Sequence, residues 1–206
     1  MRWWQKAPRR LRVPLGFVAA AFFLFETGRR SPHYAAIAWS IAMVLPGLAL
    51  RAAASGTVKK NLELTVTGPY AFTRNPLYLG SALIAAGFAL ALFSWPVALF
   101  LAAGFAAIYL PVIFSEELFL RATFPAFDEY CRKVPRFFPR LTAAKLGEIN
   151  NLRPGSAPVT SDAPGGFSLG LYLKHREYNA AIGAALLYFN LLYLHPVLER
   201  VLHGTR

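Results

Sequence analysis

The spacing of apolar blocks along the chain constrains its fold more than any other feature. Five apolar blocks alternate with polar segments, at residues 13–25, 35–50, 77–93, 95–114 and 178–194, and they predict helices over about residues 13–28, 35–50, 76–93, 96–120 and 178–197. A bilayer core about 30 Å thick takes roughly 20 helical residues, so the longer blocks suffice to span it. With 56% hydrophobic and only 16% charged residues, the chain is too apolar for an ordinary soluble domain. The sequence therefore predicts one all-α integral membrane domain over residues 1–206, a helical bundle of about five transmembrane helices.

The first block, together with the residues before it, is similar to the beginning of a signal peptide, because five basic residues precede the block within residues 1–12. A signal peptide ends in a cleavage site of small residues, whereas residues 26–30 read Glu-Thr-Gly-Arg-Arg. We therefore interpret the block as a retained first helix.

Basic residues predict how the helices are oriented, since Lys and Arg are retained on the cytoplasmic side. With the N-terminus inside, the inner segments are 1–12, 51–76 and 115–177, and they hold 18 of the 22 basic residues. The net charge of +12 then follows from topology and from attraction to anionic membrane lipids. Nucleic acid is not the expected partner, because the basic residues are spread over several loops without a nucleic-acid-binding module.

The residues that usually hold metals give no site in this sequence. Cys131 is a single cysteine, which excludes an intramolecular disulfide and a cluster of cysteine ligands, and we expect it to be a bystander near the membrane interface. The four histidines, His33, His175, His195 and His203, have no metal-like spacing. We predict no metal ion.

The third apolar block begins with a polar signal. Asn75 is suited to cap a helix and Pro76 to occupy its first position, while the free amides and the helix dipole favour an anion. Arg74 adds a positive charge. By itself this pattern is equally typical of a well-made helix start.

Two adjacent carboxylates follow the fourth apolar block, where a charge is costly. Glu116 and Glu117 point about 100° apart on a helix, so one faces solvent or an arginine while the other faces the bundle. The connection between the third and fourth helices is only about three residues, so their other ends are neighbours as well. An inward carboxylate near Arg74 suits a ligand that carries both charges. The alternative is a solvated helix end.

A third polar element follows at residues 130–139. Prolines on both sides of Arg136 hold the chain extended, and its guanidinium is suited to bind a carboxylate or phosphate through two parallel hydrogen bonds. The alternative is a simple turn onto the membrane surface.

The order of these elements resembles the isoprenylcysteine carboxyl methyltransferase and phospholipid methyltransferase superfamily. The resemblance covers about residues 62–140 and rests on residues 68–80 (Gly-Pro-Tyr-Ala-Phe-Thr-Arg-Asn-Pro-Leu-Tyr-Leu-Gly), the two glutamates, Tyr130 and residues 134–139 (Val-Pro-Arg-Phe-Phe-Pro). It implies an S-adenosylmethionine pocket on the cytoplasmic side and a lipid-like methyl acceptor. Carried over by position, the cofactor-binding residues are Tyr70, Arg74, Asn75, Pro76, Tyr78, Leu79, Gly80, Glu116 and Glu117. The catalytic residues that the resemblance implies are Arg136, beside the acceptor, and Glu117. Separately, residues 141–177 are expected to form a loop.

One position departs from the superfamily. Asn75 stands where the eukaryotic carboxyl methyltransferases commonly have histidine, and an amide takes up no proton near neutral pH. A carboxylate acceptor needs no base, because it is already ionised. An amine or phenol acceptor does need one, and Glu116, Glu117 and Tyr78 are the candidates.

Two other functions are compatible with these residues. Tyr130-Cys131 followed by Val134-Pro135 is similar to a segment of NADPH-dependent membrane sterol reductases. A non-catalytic membrane scaffold or a small transporter is the second alternative, although a transporter is expected to carry ionisable groups in mid-helix and these helices have essentially none.

Overall fold

The computed structural model describes residues 16–29, 34–59, 63–144, 166–197 and 201. The elements are α1 (Gly16–Thr27), α2 (Tyr34–Thr57), a 3-10 turn (Gly68–Ala71), α3 (Pro76–Leu92), α4 (Trp95–Thr123), α5 (Phe127–Lys133), α6 (Leu169–Lys174) and α7 (Tyr178–Phe189), which continues as a π-helix (Asn190–Leu194). Every regular element in these ranges is helical, so the predicted all-α class is confirmed.

Three helices are long and apolar enough to cross a membrane, namely α2, α4 and the helix Tyr178–Val197. The helices α1 and α3 are apolar but shorter. At most 28% of each spanning window is buried inside the protein, so most of its apolar side chains point outward. Apolar side chains on the outside of a long helix match the hydrocarbon of a bilayer. The chain is an integral membrane protein, while five spans and one domain over residues 1–206 stay predictions.

Two boundaries differ from those expected. The second helix does not stop at residue 50 but runs on to Thr57. In its last turns the hydroxyls of Ser55 and Thr57 donate to the carbonyls of Ala52 and Ala53 at 3.0 and 2.7 Å. The segment 141–177, expected to be a loop, contains α6. Ser168 caps this helix by accepting a hydrogen bond from the Leu171 amide at 3.4 Å. Residues 13–15 of the first predicted helix and 145–165 of the predicted loop lie outside the described residues.

Contacts divide the chain into two units. Unit 1 comprises residues 1–48, 82–108 and 179–206. Its core consists of apolar side chains from α1, α2, α3, α4 and α7: Phe23, Ile37, Val44, Phe88, Ala91, Leu92, Val97, Ala184 and Leu191. Gly87 allows the closest approach, since a Cβ there would meet the Ser40 carbonyl at 2.9 Å and a Val44 methyl at 2.5 Å. Ser40 also shares a 2.6 Å hydrogen bond with Tyr188.

Unit 2 comprises residues 49–81 and 109–178. Its core joins the segment before α3 to α5: Leu64, Val66, Ala71, Phe124, Ala126, Phe127, Tyr130 and Val134. The buried Tyr130 hydroxyl donates to the Tyr70 carbonyl at 2.7 Å, which fixes the 3-10 turn on α5. Unit 2 contains all ten residues to which the sequence assigned a role.

Candidate active site

The two adjacent glutamates of α4 have separate partners in unit 2. Glu117 is buried, at 7% exposed, and lies against Arg74 and Arg136. Glu116 is half-buried and accepts a 2.8 Å hydrogen bond from the Tyr78 hydroxyl. The rotation of about 100° between neighbouring helix positions accounts for this division.

Glu117 binds Arg136 through two parallel hydrogen bonds. Arg136 donates through Nε to Glu117 Oε1 at 3.0 Å and through Nη2 to Oε2 at 2.9 Å. The guanidinium of Arg136 also lies over the ring of Phe114, 5.0 Å from its centroid. Its side chain is nevertheless 48% exposed, so Arg136 reaches Glu117 from the accessible side of the site.

Arg74 contacts the same Glu117 carboxylate and is less exposed than Arg136. Its Nη1 lies 3.4 Å from Glu117 Oε1 and its side chain is 12% exposed. The Nε atom of Arg74 is buried and has no hydrogen-bond partner within the described chain. The proximity of Arg74 to the glutamates, expected from the short α3–α4 connection, is therefore present in the structure.

The segment after α5 is fastened to the residues before α3. Arg74 N–H donates to the Pro135 carbonyl at 2.9 Å, and the buried Thr73 hydroxyl donates to the Phe137 carbonyl at 3.0 Å. Asn75 contributes its side-chain amide, which donates to the Arg136 carbonyl at 2.8 Å. The Asn75 backbone carbonyl accepts hydrogen bonds from the backbone amides of Tyr78 and Leu79 in the first turn of α3. Asn75 thus links the start of α3 to the backbone that carries Arg136.

The remaining residues with a predicted cofactor role lie in the 3-10 turn and at the start of α3. Pro76 is buried at the first position of α3, and Leu79 and Gly80 follow within its first turns without adding a charge. Tyr70 lies in the 3-10 turn. Burial is the main cause that raises the pKa of the Tyr70 phenol, and nearby Glu116 raises it further, so the phenol stays neutral at physiological pH.

Cys131 was expected to be a bystander, and in the structure its thiol contacts a residue of the site. Arg74 Nη1 lies 2.5 Å from its sulfur, so the thiol packs against the buried arginine of the site. Burial raises the pKa of the Cys131 thiol although Arg74 acts in the opposite direction. The protonated thiol is a weak nucleophile, and its place indicates packing rather than catalysis.

Sequence reasoning also missed Tyr109 and Phe114. The Tyr109 ring lies 5.2 Å from that of Tyr78, and Phe114 supports Arg136 as described above. Tyr109 stands seven residues before Glu116, two helical turns along the same face of α4, and this spacing is the signal that could have found it.

The charges of the site do not cancel locally. Two guanidinium groups face the single carboxylate of Glu117, whereas the Glu116 carboxylate accepts its hydrogen bond from the Tyr78 phenol. The site therefore has a cationic side at Arg74 and Arg136 and an anionic side at Glu116 and Tyr78. A zwitterionic ligand complements such an arrangement.

Fold and site together define an integral membrane protein with a charged site where two apolar helices end. Residues 37–126 match the family model for phospholipid methyltransferase. This segment belongs to the integral membrane methyltransferase superfamily, so the resemblance inferred from the sequence is confirmed. The matched segment includes Tyr70, Arg74, Tyr78 and both glutamates, whereas Arg136 lies beyond it.

Two curated relatives are similar over a shorter stretch. They are the nickel-cobalt-cadmium resistance protein NccN of Alcaligenes xylosoxydans xylosoxydans and the cobalt-zinc-cadmium resistance protein CzcN of Cupriavidus metallidurans. Each is 43% identical over 84 residues, which is 41% of this chain and 39% of the relative. No solved structure matches the chain. Within the described ranges, no three His, Cys, Asp or Glu side chains are grouped so that they could hold a metal ion.

Proposed function

We propose that the protein is a membrane methyltransferase that moves a methyl group from S-adenosylmethionine to a lipid-like acceptor. The observation that carries this proposal is the division of charge around Glu116 and Glu117. The family match over residues 37–126 supports the reaction class, and the charged side chains support the donor.

The residues of unit 2 fit the donor's charges. S-adenosylmethionine carries a carboxylate, an ammonium and a sulfonium group. Arg74 offers a positive charge that suits the carboxylate, and Glu116 with Tyr78 offers the negative charge that suits a cation. The neighbouring rings of Tyr78 and Tyr109 present aromatic faces, which also attract cations such as a sulfonium.

When bound, the donor supplies an electrophilic methyl group whose departure leaves a neutral thioether. The protein's task is then to hold the acceptor in line with that methyl group and to keep water away, and orientation of this kind is a large source of rate acceleration. Arg136 is the residue suited to hold the acceptor, because it is fixed to Glu117 and yet 48% exposed.

Two acceptor classes remain within this proposal. A carboxylate, as in a prenylated cysteine, would bind Arg136 directly and lose no proton. A phospholipid amine would place its phosphate near Arg136 and its nitrogen near the anionic side, where Glu116 would take the proton that the nitrogen releases. The same site thus accommodates either acceptor with Arg136 in the same role.

We also propose that the N-terminus and the site are cytoplasmic. Basic residues in the segments 1–12, 51–76 and 115–177 support this orientation, and S-adenosylmethionine is water-soluble and would enter from that side. The names of the two relatives refer to metal resistance of those proteins. A contribution of lipid methylation to metal tolerance would be a consequence of this reaction and needs no metal site.

Methyl transfer to extracted lipids tests the proposal. Purified protein is incubated with radiolabelled S-adenosylmethionine and a membrane lipid extract, and the lipid fraction is separated and counted. We expect label in a lipid band with the native protein and none with Glu117→Ala. Label in neither sample, with native protein that binds the donor, would contradict a lipid acceptor and leave a soluble one.

A further inference from the structure

A second ion pair in unit 2, which is half-buried, joins the last turns of α2 to the residue before α7. Arg51 and Glu177 are 126 positions apart, and their side chains are only 13% and 14% exposed. Arg51 Nη2 donates to Glu177 Oε2. Glu177 lies outside the segment that matches the methyltransferase family. No pattern in the sequence marks it as a functional residue.

Arg51 connects this pair to α3. Its Nη1 donates to the Ser81 hydroxyl and lies 3.5 Å from the Leu77 carbonyl. Leu77 immediately precedes Tyr78, and Ser81 lies one turn further along the helix. The Arg51 guanidinium therefore binds the turn of α3 that contains Tyr78.

The segment 166–177 holds Glu177 in place through contacts of its own. The Ser168 amide donates to the Gly56 carbonyl at 2.8 Å, and His175 Nδ1 lies 2.9 Å from the Ser55 carbonyl. Phe167 packs on Gly56 so closely that a Cβ at position 56 would overlap the ring. These contacts fix the segment along the last turns of α2 before Glu177 meets Arg51.

Glu177 also lies near the site itself. Its charge contributes, after burial and Glu116, to the raised pKa of Tyr70. The charges of Glu177 and Glu116 therefore act on the same phenol.

We propose that Glu177, acting through Arg51, is a positioning residue of the donor site: the ion pair sets the first turns of α3 and with them the Tyr78 hydroxyl that meets Glu116. Glu177 does not touch the donor. The inference rests on the proposed function, because it assigns the site of Tyr78 and Glu116 to S-adenosylmethionine. It gives the segment before α7 a part in activity although that segment lies outside the matched family region.

A double substitution separates positioning from stabilisation. In Arg51→Met with Glu177→Leu, both charges are replaced by apolar groups, a change that often leaves stability unaffected or improved. We expect the purified variant to keep its helicity and thermal unfolding midpoint but to bind S-adenosylhomocysteine at least about tenfold more weakly, because small displacements of a site have large effects. The matched control is Arg121→Met with Asp128→Leu, which removes an exposed pair of unit 2 and should leave the affinity unchanged.

Two further measurements keep the test decisive. If the double variant does not fold, Ser81→Ala removes the hydrogen bond that the Ser81 hydroxyl accepts from Arg51, together with the bond from that hydroxyl to the Leu77 carbonyl. We expect about threefold weaker binding of S-adenosylhomocysteine from loss of the Arg51 bond. An affinity within experimental error of the native protein in either folded variant would overturn the positioning role. A native protein that does not bind S-adenosylhomocysteine would instead overturn the proposed function, so the two failures are distinguishable.

Discussion

The two units of this protein differ in what their buried polar groups do. In unit 1 they stabilise packing: Ser40 bonds Tyr188 across helices, and the buried Glu26 lies 3.4 Å from Ser94. In unit 2 two buried or half-buried ion-pair networks converge on the first turns of α3. Charges are costly to bury, so a region that retains several of them is a region where function is expected.

The comparison assigns separate tasks to the two units. Unit 1 contains apolar helices whose exposed residues, such as Trp39 at 68% and Leu186 at 64%, suit contact with lipid. Unit 2 contains every residue that we connect with methyl transfer. Substitutions in the two units should therefore change different measured quantities.

Removal of the shared carboxylate should have the largest effect. Glu117→Ala leaves two guanidinium groups without their common partner, and we expect the affinity for S-adenosylhomocysteine to fall by about 100-fold, since loss of one member of a buried charge pair costs several kcal/mol. Isothermal titration calorimetry measures the affinity, and circular dichroism checks the fold. Asp128→Asn, at an exposed ion pair of the same unit, is the control. Equal affinities of Glu117→Ala and the native protein would remove Glu117 from the donor site.

Substitution of Arg136 should have the next largest effect. Arg136→Lys keeps the charge but loses the two parallel bonds to Glu117, so we expect kcat/KM for the acceptor to fall by about tenfold. Donor affinity should change much less if Arg136 serves mainly the acceptor. Arg132→Lys, an exposed neighbour, provides the comparison. A loss confined to donor affinity would move Arg136 from the acceptor to the donor.

A packing change in unit 1 should affect stability alone. Gly87→Ala places a methyl group against Val44 and the Ser40 carbonyl, whereas Gly104→Ala enters a position with no atom within 4 Å. We expect the free energy of unfolding of Gly87→Ala to lie about 1–3 kcal/mol below that of Gly104→Ala, as for overpacked sites in general. Both variants should bind S-adenosylhomocysteine like the native protein. Weaker binding by a folded Gly87→Ala protein would contradict the separation of tasks.

The smallest effect concerns Cys131. Because burial raises the pKa of its thiol, the reactive thiolate appears only at higher pH than for a free cysteine. The rate of alkylation by N-ethylmaleimide should therefore rise at a higher pH than for a small free thiol, and mass spectrometry follows the single modified residue. A rise at lower pH than in the free thiol would mean that Arg74 dominates burial.

The local pattern of the sequence was sufficient to predict much of the site. A connection of about three residues between α3 and α4 implies that their other ends are neighbours, and Glu116 indeed accepts a hydrogen bond from Tyr78. The helical rotation between Glu116 and Glu117 predicts that they have different partners, and they do. These predictions succeed because they depend only on helix geometry and loop length.

Other features could not be predicted because they depend on contacts between distant residues. Nothing near Arg51 in the sequence indicates that its partner is Glu177, which lies 126 positions away. The helix α6 lies in a segment whose composition is typical of a loop and follows from the cap at Ser168. The roles assigned to the ten site residues stay predictions until a ligand is bound.

Binding of the donor product tests the central claim most directly. Native protein purified in detergent is titrated by calorimetry with S-adenosylhomocysteine and, separately, with NADPH. We predict saturable binding of S-adenosylhomocysteine that is about 100-fold weaker in Glu117→Ala, and no binding of NADPH. Saturable binding of NADPH together with no response to S-adenosylhomocysteine would contradict the account and favour a membrane reductase.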